Sequence, residues 1–82
     1  MFFKYSEMEL LMNVLKGIVD KKFIVNFYDD NDSSIKVEVI SRFEDMEKLK
    51  DLFDEVKDTY YDHVCYYAYF ENTLTFKWSF VV

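Results

Sequence analysis

From Ser6 to Asp20 the apolar residues Met8, Leu11, Met12, Leu15, Ile18 and Val19 recur at three- and four-residue steps. That spacing gathers side chains on one face of an α-helix. Leu10 and Val14 widen the face, so the helix is expected to be buried over more than half its girth. Ser6-Glu7-Met8-Glu9 has the form of a capping box, with Tyr5 and Leu10 at the two staple positions. Gly17 reads as an interior helical residue, at a cost of about 1 kcal/mol relative to Ala, rather than as an early stop.

The period then changes from helical to alternating. Over Lys22 to Asp29, Phe23, Val25 and Phe27 take one side and Ile24, Asn26 and Tyr28 the other, as in a β-strand. The polar run Asp29-Asp30-Asn31-Asp32-Ser33-Ser34 predicts a turn. Ile35 to Arg42 is the returning strand, with Ile35, Val37 and Val39 inward and Lys36, Glu38 and Arg42 outward. Ser41-Arg42-Phe43-Glu44 is a second capping-box pattern. It opens a helix over 43–61 with a narrow apolar stripe of Met46, Leu49, Leu52, Phe53, Val56 and Tyr60. A final hairpin follows. Val64, Tyr66, Ala68 and Phe70 alternate with Cys65, Tyr67 and Tyr69, and Glu71-Asn72 forms the turn. Leu74, Phe76, Trp78, Phe80 and Val82 then alternate with Thr73, Thr75, Lys77 and Ser79.

The elements predict an α+β fold in the order α-β-β-α-β-β, an antiparallel four-stranded sheet with two helices packed on one face. The alternative is ferredoxin-like, βαββαβ with an extra edge strand, if Phe2 to Tyr5 is itself a strand. The two helix–hairpin halves share too little residue identity to read as a repeat. Residues 1–82 are expected to form a single compact domain.

Composition narrows the class. Half of the residues are hydrophobic and 21% are aromatic (nine Phe, seven Tyr, one Trp), enough to build a core in a short chain and to argue against disorder. No apolar run approaches the roughly 20 residues of a membrane-spanning helix. The N-terminus lacks the basic region of a signal peptide. The lone Cys65 rules out an internal disulfide and fits a reducing cytoplasmic compartment. No anionic membrane or direct nucleic-acid partner is expected, because the formal charge is −6 and Arg42 is the single guanidinium.

Candidate chemistry is sparse. His63 and Cys65, two residues apart on a strand, offer a conceivable thiolate–imidazole pair. The stronger reading of Cys65 is a small buried apolar side chain. An EF-hand opening at Asp30 fails, since Ile35 replaces the required glycine and Ser41 the bidentate glutamate. There is no Cys/His set for zinc and no glycine-rich phosphate loop. The expectation is a non-enzyme without metal or cofactor.

The charge pattern carries more. Residues 29–62 hold twelve acids against five bases, whereas the rest of the chain holds four against five. On the second helix Glu44, Glu47, Asp51, Asp54, Glu55, Asp58 and Asp62 fall within an arc of roughly 100°, opposite the apolar stripe. Like charges at i, i+4 repel, and acids in the last turn oppose the helix dipole. Lys48, Lys50 and Lys57 flank the arc, with Glu44–Lys48 as an expected pair. One reading is a solvated face that keeps an aromatic-rich domain soluble. The other is an imitation of a nucleic-acid backbone, in which Glu44, Glu47, Asp51, Asp54, Glu55 and Asp58 pair with a basic partner and Asp29, Asp30 and Asp32 extend the footprint. A second candidate interface is a Tyr/Thr sheet face. If Tyr66 faces the core, Tyr67 and Tyr69 stand on the open side beside Lys77, Thr75 and Thr73, and self-association or docking through them is the alternative function.

In size, acidity and scarcity of Gly and Pro, the chain is similar to a broad class of phage and mobile-element proteins that block host nucleic-acid-binding proteins. That class includes nucleic-acid-mimicking inhibitors of glycosylases and of CRISPR effectors. The resemblance implies stoichiometric inhibition of a basic host protein in the cytoplasm, as an anti-CRISPR or related inhibitor, and no turnover.

Overall fold

The computed structural model describes residues 5–19, 23–31 and 33–80. The elements are α1 (Tyr5–Ile18), β1 (Ile24–Asn31), β2 (Ser34–Ile40), α2 (Met46–Thr59), β3 (Val64–Phe70) and β4 (Thr73–Ser79). This is the predicted α-β-β-α-β-β order. The strand alternative over Phe2 to Lys4 and the side chains of Tyr5 and Ser6, with the first capping box and staple, lie outside the described residues. α1 ends at Ile18 rather than Asp20, so Gly17 is its next-to-last residue; it has no positive φ and is not a left-handed stop.

The sheet order is β1-β2-β4-β3, with every neighbour antiparallel. Each helix–hairpin half therefore supplies one inner strand and one edge strand. The inner strands pair symmetrically about Val37↔Phe76, with Ile35↔Trp78 and Val39↔Leu74 on either side. All six of these side chains belong to the buried core, which the alternation in β2 and β4 predicted. Leu11, Val14, Leu15 and Ile18 from α1 and Met46, Leu49, Phe53 and Val56 from α2 close the same core. Phe53 is fully buried and lies 4.9 Å from the Phe76 ring centroid. Truncating such a residue to Ala costs about 3–5 kcal/mol.

Three local expectations are corrected. First, β1 runs past the expected strand end at Asp29, which pairs with Ile35, so that Asp30 and Asn31 belong to the strand and not to a turn. The strand end is held because Asp30 accepts from Ser34 Oγ at 2.8 Å and meets Lys77 Nζ at 2.9 Å. Second, Ser41 does not cap α2. A 3-10 turn, Phe43–Asp45, precedes the helix, and Asp45 stands at the cap without a side-chain cap bond. The buried Ser41 hydroxyl turns instead to the Arg42 carbonyl at 3.2 Å and to the Met46 sulfur. Third, α2 ends at Thr59, so Asp62 lies beyond it.

The largest correction concerns β3. The register shifts between Val64 and Tyr66: Val64 pairs with Trp78, yet Tyr66 pairs with Lys77 and Tyr67 with Phe76. A bulge at Cys65 inserts one residue and reverses the alternation beyond it. Tyr67 and Tyr69 consequently stand on the helix side, while Tyr66, Ala68 and Phe70 take the open face opposite Lys77, Thr75 and Thr73. The physical reason is aromatic packing. In this phase Phe53 meets Tyr67 and Tyr69 edge-on, at 5.8 and 6.5 Å between centroids. Such pairs are worth about 0.5–1.5 kcal/mol each beyond their buried area.

Candidate protein-binding surface

The helix α2 is built so that one side must face water. Its apolar positions Met46, Leu49, Phe53 and Val56 are buried, and the opposite arc is left to the charged residues. Glu44, Glu47, Asp51, Asp54, Glu55 and Asp58 are all exposed. Two of the six are compensated. Glu44, on the 3-10 turn, meets Arg42 at 3.5 Å instead of the expected Lys48, and Asp54 meets Lys57 at 2.9 Å. Glu47, Asp51, Glu55 and Asp58 form no ion pair with any described residue.

Two of the three lysines of α2 lean onto aromatic rings. Lys57 Nζ lies 4.0 Å from the Tyr67 ring centroid, and Lys50 Nζ lies 5.3 Å from that of Tyr69. Contact with Tyr67 first, and with Asp54 second, holds the Lys57 pKa above its ordinary value. Both cations thus lean down the β3 side of α2 onto aromatic faces. The remaining carboxylates project from the helix at turn spacing, about 5.4 Å along the axis.

The other acids do not join this surface. α2 lies against β3 and β4, through Phe53 to Tyr67, Tyr69 and Phe76 and through Tyr60 to Trp78. Asp29 and Asp30 sit on β1, the opposite edge strand. Asp30 is turned to the open face, where hydrogen bonding to Lys77 and then to Ser34 lowers its pKa. Asp32 lies outside the described residues. Among the described residues the α2 stripe therefore stands by itself, with Asp29 and Asp30 separated from it across the sheet.

The Tyr67 and Tyr69 pair belongs under α2 rather than on the open sheet. Tyr67 retains exposure at the sheet edge, whereas the Tyr69 hydroxyl is buried with no hydrogen-bond partner among the described residues, and burial pushes its pKa up to about 12. What the sequence did not foreshadow is the row across the open face: Tyr28, Lys36, Lys77 and Tyr66 on successive strands. Phe70 and Ile24 add exposed apolar surface on the same side. No alternation rule reveals this row, since it depends on the sheet order and on the bulge.

The side chains of His63 and Cys65 turn to different partners. The His63 ring stacks on Trp78 at 4.5 Å with 13° between planes, and its Nδ1 lies 2.8 Å from the Ser79 carbonyl. Cys65 is exposed at the bulge, contrary to the expected burial, with its thiol directed to the His63 carbonyl at 3.6 Å. Among the described residues, no group of three or more His, Cys, Asp or Glu is placed to hold a metal ion, and no helix is long and apolar enough to cross a membrane.

Comparison of the chain with known protein families, with characterised proteins and with solved structures finds no match.

Proposed function

We propose that the protein is a stoichiometric binding inhibitor whose α2 stripe occupies a basic, nucleic-acid-binding surface of another protein. The observation that supports this reading is the set of Glu47, Asp51, Glu55 and Asp58, outward-facing and without an ion pair among the described residues, while Lys50 and Lys57 of the same helix are turned onto tyrosine rings. A helix shaped for stability alone would intersperse lysines along its exposed face to form i, i+4 pairs. Duplex DNA carries a charge every about 1.7 Å, so one such stripe matches the density of a single strand more closely than that of a duplex. The partner follows from the chemistry: a groove of lysines and arginines that nucleic acid otherwise fills, such as that of a CRISPR effector or a DNA-repair enzyme.

The test is capture from a host lysate at low salt with the wild-type chain and with Asp51→Lys/Glu55→Lys as baits. Wild type retains basic proteins that are released by salt and by excess nucleic acid. The reversed bait, equally folded by circular dichroism, loses them. Equal retention by the two baits removes the stripe from function.

A second reading rests on the open sheet face, where Tyr28, Tyr66, Phe70 and Ile24 are exposed together. Aromatic residues are enriched at protein interfaces, and an assembly module would use this face. Sedimentation at low and high salt separates the readings, because association through apolar rings persists at high salt while stripe binding fades.

A further inference from the structure

The surface between the helices offers more than charge. Val14, Gly17 and Ile18 of α1 face Leu52, Glu55 and Val56 of α2 across a cavity of about 270 Å³. An adjoining cavity of about 260 Å³ shares Gly17, Ile18 and Leu52 and continues towards Lys48. The two make one cleft along the helix seam, apolar at its floor. Glu55 stands on its rim, and Asp51 and Asp58 lie one turn away on the same helix.

Gly17 is the second observation. Gly17 is the next-to-last residue of α1, and a helical glycine costs up to about 1 kcal/mol relative to Ala. Its backbone has no positive φ, and a Cβ built there meets nothing within 4 Å. No described residue requires a glycine at this position, and the missing side chain leaves the backbone there open to close approach by another molecule.

We infer that this cleft is the docking groove for a basic amphipathic helix of the partner protein. Apolar side chains of that helix enter over Gly17 and between Val14 and Leu52, and its lysines or arginines meet Asp51, Glu55 and Asp58. Helix-in-groove recognition combines apolar anchors at helical spacing with a charged rim. Lys48 at the opposite end of the cleft sets the direction, since the partner's basic residues must lie away from it, on the Glu55 and Asp58 side. The inference rests on the proposed acidic stripe and adds to it the shape of what binds there.

The probes are two synthetic leucine/lysine peptides of identical composition, one ordered as an amphipathic helix and one scrambled to have no apolar face, titrated by anisotropy into the full-length protein. Wild type binds the ordered peptide at least about tenfold more tightly than the scrambled one. Gly17→Phe fills the cleft and erases that preference, leaving the scrambled peptide's affinity unchanged. Gly17→Gln gives the same result with a smaller side chain, should Gly17→Phe fail to fold by circular dichroism. Equal binding of the two peptides by wild type, or a preference that survives both substitutions, overturns the groove while leaving the stripe intact. Undiminished binding of both peptides by Asp51→Lys/Glu55→Lys overturns the stripe as well. A wild-type dimer in sedimentation that Gly17→Phe converts to monomer assigns the cleft to a second copy and also overturns the proposal.

Discussion

Lys57 Nζ stands 4.0 Å above the ring of Tyr67 and 2.9 Å from Asp54. The relationship exists because the bulge at Cys65 turns Tyr67 to the helix side. It ties the edge strand to α2 and confines the Lys57 charge to Asp54 at the β3 side of the stripe. A double-mutant cycle of Lys57→Met and Tyr67→Leu in urea is expected to give a coupling of about 0.5–1 kcal/mol, the range of a partly exposed cation–π contact. A coupling indistinguishable from zero means that Lys57 is held by Asp54 alone.

The Asp30–Lys77 pair makes folding stability depend on pH at both ends. Asp30 has a lowered pKa in the fold, through Lys77 and then Ser34. Its contribution is present above the unfolded value of 3.8 and is lost as pH falls through the lower folded value. Lys77 has a raised pKa, chiefly from Asp30. Its contribution is present below the unfolded 10.5 and is lost as pH rises through the higher folded value. Asp30→Asn is therefore expected to lower the melting temperature at neutral pH, by an amount that shrinks in strong acid and at high salt. Thermal melts from pH 2 to pH 8 check this, and a difference that stays constant across the range assigns the effect to packing.

How legible these features were depended on polar contrast along the chain. In β4 the residues Leu74, Phe76 and Trp78 alternate with Thr and Lys, and all three are fully buried. The stripe of α2 was equally clear, since every carboxylate has an apolar counterpart across the helix. In Val64–Phe70 no charged residue marks a phase, so a one-residue bulge leaves no trace in the pattern. The faces of Tyr67 and Tyr69 could be fixed only by the rings of Phe53 and the β4 register. Asp30 reads as turn-forming on propensity, and it is the tertiary partner Lys77, two strands away, that keeps it in β1. The cleft above Gly17 needs both helices in place before it exists.

Among the described residues the buried Tyr69 hydroxyl has no hydrogen-bond partner, and such burial is unfavourable. Tyr69→Phe keeps the edge contact with Phe53 and removes the unsatisfied oxygen. The substitution is expected to stabilise the protein by about 1 kcal/mol, read from urea denaturation. The same burial predicts a spectroscopic signature, with one phenol ionising at about 12 in the folded chain. Ultraviolet titration of wild type and Tyr69→Phe should differ by that late step. Loss of stability on removing the hydroxyl would show that the oxygen has a partner in solution.

The turn of the last hairpin places a non-glycine residue in an unfavourable region. Glu71 has φ 54°, where the Cβ of an L-residue crowds the following carbonyl at a cost of about 1–2 kcal/mol. It joins Phe70 to Thr73 in a two-residue connection, where short hairpins favour Asn or Gly. Glu71→Gly relieves the clash but widens the unfolded ensemble, so the net gain is expected to be about 0.5–1 kcal/mol. Glu71→Asn tolerates the same region with less added backbone freedom and should gain a comparable amount. Because Glu71 lies outside the acidic stripe and the interhelical cleft, neither substitution should alter binding to a basic partner. Urea denaturation measures the stability, and the peptide titrations measure the binding. A stabilised variant with unchanged affinity is the expected outcome, while a destabilised Glu71→Gly would show that the turn is held by interactions of the Glu71 side chain rather than strained by its backbone.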